Sequence, residues 1–150
     1  MKTLKLILIL IAFAGASLFA QSDVETEAIG EAVLNYIEGW YDGDIERMDK
    51  ALHPELAKRV LATLPQTGTT FINTATKSMM VEYTRAGFGK QTPREKLNNK
   101  VEVLDVYKGI ATVKATSYDY VDYCHLVKQD GEWKIINVLW ERIPHEEEEE

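Results

Sequence analysis

Apolar side chains recur at three- and four-residue steps through the first half of this chain and at two-residue steps through its last third. Val24, Ala28, Ala32, Val33, Tyr36, Ile37 and Trp40 share one stripe, which predicts a helix over about residues 23–41. Ser22 followed by Glu25 fits a capping box at its start. Asp42-Gly43-Asp44 breaks that helix and caps a second one, with Ile45, Met48 and Leu52 inward. His53-Pro54 interrupts it, because proline disfavours helical geometry in the residue before it and suits the first turn of a new helix. Leu56, Val60 and Leu61 then predict one or two more helical turns within "PELAKRVLATL". A loop follows from Pro65 to Thr70. Ala75, Met79 and Tyr83 predict a third helix over about 74–86, with Gly87 as its left-handed cap.

From Asn99 onward the period becomes alternating. "KVEVLDVY" and "IATVKATSY" flank Lys108-Gly109, and Asp130-Gly131 is a stronger hairpin signal between "YVDYCHLVKQ" and "EWKIINVLW". Helices come first and long strands last, an order that predicts an α+β fold rather than a doubly wound parallel sheet. No internal repeat, Gly-rich phosphate loop, Ser-His-Asp spacing or clustered metal-ligand motif interrupts this plan.

Composition changes the picture at the two ends. Lys2 and Lys5 precede an apolar run from Leu6 to Phe13, and Ala20 stands just before polar Gln21-Ser22, the layout of a cleavable secretory signal peptide over about residues 1–20. The run is too short for a bilayer, which needs about 20 apolar residues. A secreted or periplasmic protein is therefore expected, with one domain over 21–144 and an acidic tail over 145–150 ending in Glu146 to Glu150. Net charge is −7, and removing the leader takes away two lysines and no acid. Nucleic acid and anionic membrane surfaces are poor partners for such a chain. Its single cysteine, Cys124, has no internal partner for a disulfide and reads as a small buried hydrophobe.

Three stretches, "LNYIEGWYDGDIERMDKALHPELAKR", "EYTRAGFG" and "YVDYCHLVKQDGEWKIINVLW", resemble the "putative lumazine-binding" branch of the nuclear transport factor 2-like (SnoaL-like) superfamily. The resemblance covers nearly all of the chain after the leader. It implies a cone, the cystatin-like or nuclear transport factor 2-like fold, in which a strongly curved antiparallel sheet wraps around the N-terminal helices and a pocket opens between them. Superfamily members include isomerases, dehydratases, non-catalytic binders and interaction domains, so the fold leaves function open.

Register decides which side chains such a pocket holds. A two-residue loop at Asp130-Gly131 pairs Leu126 with Ile135, Cys124 with Asn137, Asp122 with Leu139 and Tyr120 with Glu141. The resemblance implies that this face turns toward the helices. Tyr123, His125, Ile136, Val138 and Trp140 then form an outer face suited to a homodimer. Ala111, Val113 and Ala115 oppose this parity if the strand runs unbroken from Ile110 to Lys128, turning His125 inward instead; one bulge near Ser117–Asp119 reconciles the two halves.

Asp122 is the sharpest chemical candidate, since a carboxylate in an apolar cone is a potential general base. Trp40, Tyr41, Tyr83, Tyr120 and Asn137 are candidate ligand contacts, and Arg59, beside Lys58, is a candidate fork for an acidic ligand group. His53 is a second catalytic candidate if the protein is an enzyme. No cofactor or metal set is assembled from these residues. The leading expectation is an exported binder of a planar or apolar small molecule. The alternatives are a pocket enzyme using Asp122, or an interaction module using the outer face through Tyr123, Ile136, Val138 and Trp140.

Overall fold

The computed structural model describes residues 23–145. The leader, the Ser22 cap and Glu146–Glu150 lie outside the described residues. Helix α1 spans residues 23–42 and buries Ile29, Val33, Tyr36, Ile37 and Tyr41. Val24 and Ala28, expected on that stripe, are exposed. The first turn is instead tethered by Glu25, which accepts from Lys128 Nζ at 2.5 Å and Trp133 Nε1 at 2.8 Å. Gly43, at φ 66°, turns the chain, and Asp44 caps α2 (Ile45–Ala51) by accepting from the backbone N–H of Glu46 and Arg47. Among the described residues no helix is long and apolar enough to cross a membrane.

The segment expected to continue as helix is strand β1, Leu52–Thr63. Its leucines, alanines, lysine and arginine are helix formers, but here both strand edges find partners: β2 (Thr70–Ala75) on one side and the C-terminal strand on the other. Ladder pairing across the whole domain overrides local propensity. Pro54 falls where β1 skips from Leu52↔Ile135 to Ala57↔Asn137, a gap in which no ladder donor is required. Thr76 then caps α3 (Lys77–Arg85), and Gly87, at φ 77°, takes the expected left-handed conformation.

Strands β3 (Lys100–Tyr107), β4 (Ile110–Thr116), β5 (Tyr120–Gln129) and β6 (Glu132–Arg142) complete an open, curved six-stranded sheet of order β2-β1-β6-β5-β4-β3. Only the β1–β6 junction is parallel. The fold is α+β, as expected, with helices against the concave side. Both hairpin loops have the expected two residues, Lys108-Gly109 and Asp130-Gly131, and Lys108 and Asp130 each take φ 52°.

Two registers differ from expectation. Ser117–Asp119 is no bulge in one long strand; the chain reverses there, closed by Ser117 N–H donating to Tyr120 O at 2.9 Å, and Thr116 pairs with Val121. Partners in an antiparallel pair share a face, so Ala111 and Leu126, Val113 and Cys124, and Ala115 and Asp122 all turn inward together. The parity conflict disappears. A bulge does exist, in β6 at Ile136: Leu126 pairs with Ile135 but His125 pairs with Asn137. Beyond it every side chain of β6 changes face, which brings Val138 and Trp140 inward and turns Asn137, Leu139 and Glu141 outward.

Candidate functional site

Strand β1 alternates faces, and Lys58 and Val60 point into the cone. Lys58 is only 8 % exposed, and a buried ammonium needs a counter-charge. Asp122, 4 % exposed on β5, supplies it: Lys58 Nζ lies 2.5 Å from Asp122 Oδ1. The Tyr36 hydroxyl of α1 closes a ring of three, accepting from Lys58 Nζ at 2.7 Å and donating to Asp122 Oδ1 at 3.0 Å. Trp140 places its indole under the same ammonium, 4.6 Å from Nζ to ring centroid, and Tyr120 meets that indole edge-on at 5.2 Å. Burial, and next the Asp122 charge, push the Tyr36 phenol well above its ordinary range, so it stays a neutral donor.

This polar group stands at the wall of a cavity of about 150 Å³ between the sheet and α1 and α3. Apolar and aromatic side chains make most of the rest, among them Ile37, Trp40, Met79, Met80 and Tyr83. At its β4–β5 end the Tyr41 hydroxyl, with one proton to give, lies 3.0 Å from Ser117 Oγ and 3.1 Å from Asp119 Oδ2, and Thr92 Oγ1 donates to Asp119 Oδ2 at 2.6 Å. Burial dominates at Tyr41 and raises its pKa. These bonds pin the hairpin end to α1. His145, expected to open the tail, stacks on Tyr118 with centroids 4.0 Å apart.

Trp40, Tyr41, Tyr83, Tyr120 and Asp122 all line this one cavity. Other candidates lie elsewhere. Arg59 is on the opposite face of β1, where its Nη1 donates to Asn137 Oδ1 at 2.6 Å, so both leave the pocket together. His53 sits at the far end of the sheet, its Nε2 2.8 Å from Gln129 Oε1 and its Nδ1 accepting from Glu55 N–H. Gln129 lies seven positions along β5 from Asp122, roughly 23 Å of extended chain, too far for the two groups to share a substrate atom. Of the expected interface residues, Tyr123 is on the outer face and Ile136 forms the bulge, while Val138 is fully buried and Trp140 lines the cavity.

The reading of β1 as helix hid Lys58, whose side chain a strand turns to the face opposite its neighbour Arg59. The one available clue was Asp122 itself, because a carboxylate deep in an apolar strand requires a cation. Among the described residues no three His, Cys, Asp or Glu side chains gather as a metal site.

A curved open sheet over helices, with an aromatic cavity between them, is the nuclear transport factor 2-like fold. The chain belongs to the family described as "Putative lumazine-binding", whose model matches residues 24–141. Similar solved structures include an NTF-2 like protein of unknown function from Silicibacter pomeroyi, 11 % identical, TM-score 0.60, covering 81 % of this chain and 98 % of that one. Another, from Methylobacillus flagellatus, is 18 % identical at TM-score 0.58, covering 80 % and 93 % of the two chains. A ketosteroid isomerase-like protein from Erwinia carotovora atroseptica is 15 % identical at TM-score 0.53, covering 79 % and 96 %. At such identities the likeness concerns the fold alone. No curated protein matches the chain.

Proposed function

We propose that this protein is exported, through cleavage of residues 1–20, and binds a small molecule in the cone cavity without converting it. The observation that carries the binding reading is the closed Lys58–Asp122–Tyr36 ring inside an otherwise apolar cavity. A general base needs a carboxylate ready to take a proton. Asp122 Oδ1 already accepts from an ammonium and a phenol, and we read the pair as orienting a ligand rather than abstracting a proton from it. Lys58 has three N–H donors and its two bonds use two, leaving one for a ligand acceptor. The family description and the cavity's aromatic walls both favour a planar ligand.

The same reading includes a homodimer through the outer sheet face. Tyr123 and Leu139 are exposed there and are cross-strand neighbours, in place of the expected Val138 and Trp140.

Native mass spectrometry of the protein purified from its own exported fraction tests all three statements. A chain beginning at Gln21, two subunits and a co-purifying compound of defined mass are expected. A chain beginning at Met1 overturns cleavage of the leader, absence of the protein from the exported fraction overturns export, and a single subunit overturns the dimer. Turnover of the compound by wild-type protein, lost in Asp122→Asn, would replace the binder by an enzyme.

A further inference from the structure

The cavity does not end where its enclosed volume ends. Met79, on its lining, is 38 % exposed, and Tyr83, also on the lining, stacks against Phe88 with ring centroids 5.4 Å apart and planes 19° from parallel. Phe88 is 51 % exposed. On the facing strand, Ala75 and Asn73 line the cavity, and Phe71 follows at the next same-face position, 43 % exposed. Apolar side chains therefore flank the cavity mouth on two sides, Met79, Tyr83 and Phe88 from α3 and the turn after it, and Ala75 and Phe71 from β2 with Asn73 between them. Large apolar side chains left half in water at a pocket mouth mark a binding surface.

Inside, the charges cancel. Among the described residues, Lys58 is the only cationic side chain of the lining and Asp122 the only anionic one, and they are paired. An anionic ligand would meet a lysine already neutralised and would be desolvated beside Asp122; a cationic one would meet the ammonium. A neutral acceptor such as a carbonyl suffers neither cost and takes the remaining Lys58 N–H. A cavity of about 150 Å³ is of the size that holds about one six-membered ring.

We propose that the ligand is a neutral amphipathic molecule: a ring carrying a carbonyl-type acceptor enters toward Lys58, and an apolar extension runs out along Met79, Tyr83, Phe88 and Phe71. This assignment rests on the reading that the cone cavity is the binding site, and adds the ligand's charge and shape. The mouth is half exposed, so each added methylene contributes less than the roughly four-fold in affinity that its complete burial gives.

The test uses the intact exported protein and 4-alkylacetophenones from methyl to octyl, with 4-alkylbenzoates of matching length as anionic counterparts. Binding is read by quenching of Trp40 and Trp140 and by calorimetry. Affinity is expected to rise about two-fold per methylene, the ketones to exceed the benzoates at every length by ten-fold or more, and Phe88→Ser and Phe71→Ser to flatten the dependence on length. Binding that ignores chain length, benzoates that bind as well as ketones, or a length dependence untouched by either serine variant would each overturn the assignment while leaving the cavity as the site. If no ketone of any length binds, the assignment of ligand class falls, and the co-purifying compound decides the cavity reading separately.

Discussion

Lys58 and Asp122, sixty-four positions apart in sequence, meet at 2.5 Å inside the cone with Tyr36 bonded to both. Neither is tolerable there alone. Removing one partner of a buried pair leaves an uncompensated charge, whereas replacing the whole set by apolar groups of similar size is often neutral. Lys58→Met is therefore expected to lower stability by about 3–5 kcal/mol. The triple variant Lys58→Met, Asp122→Leu, Tyr36→Phe is expected to recover most of that loss. Urea midpoints measure both, and a single variant as stable as wild type would show the pair to be solvated.

The two cavity phenols give an alkaline signature. Burial raises the pKa of Tyr36 and of Tyr41, so the folded chain keeps protons that the unfolded chain releases near pH 10. Their contribution to stability is complete below about pH 10 and is lost progressively as pH rises above it. Spectrophotometric titration should show two of the seven tyrosines ionising only with unfolding. Seven tyrosines titrating together in folded protein would contradict this.

Cys124 is fully buried, and burial followed by the Asp122 charge pushes its thiol up and out of the reactive range. At pH 8 iodoacetamide should modify it at the rate of unfolding, with about complete protection in native protein. Fast labelling of folded protein would mean that the concave side of β5 opens to solvent.

On the convex side, Leu139 is 55 % exposed. Leu139→Asp is expected to yield a folded monomer with cavity binding intact, read by sedimentation and by ligand titration. Trp140→Asp, one residue on, is expected to damage the cavity instead, because its indole lies under the Lys58 ammonium. An unchanged mass for Leu139→Asp would place any association elsewhere.

Local pattern determined much of this molecule by itself. The stripe ending in Tyr36, Ile37 and Trp40 had to be an amphipathic helix, and Asp130-Gly131 had to reverse the chain, because helical periodicity and left-handed turn geometry are properties of a few neighbouring residues. Trp40, Tyr41 and Tyr83 were legible as cavity candidates for the same reason, whereas the inward face of Tyr120 and Asp122 was implied by the family resemblance. What only the tertiary structure decided was the state of Leu52–Thr63 and the face shown by each residue of β6 beyond Ile136. Helix-forming side chains become a strand when two sheet edges are waiting for them, and one extra residue in a ladder exchanges inside for outside. Both are consequences of pairing between distant segments. Together they moved Lys58 from an expected helix into the cavity, took Arg59 and Asn137 out of it, and turned Trp140 from the outer face to the cavity.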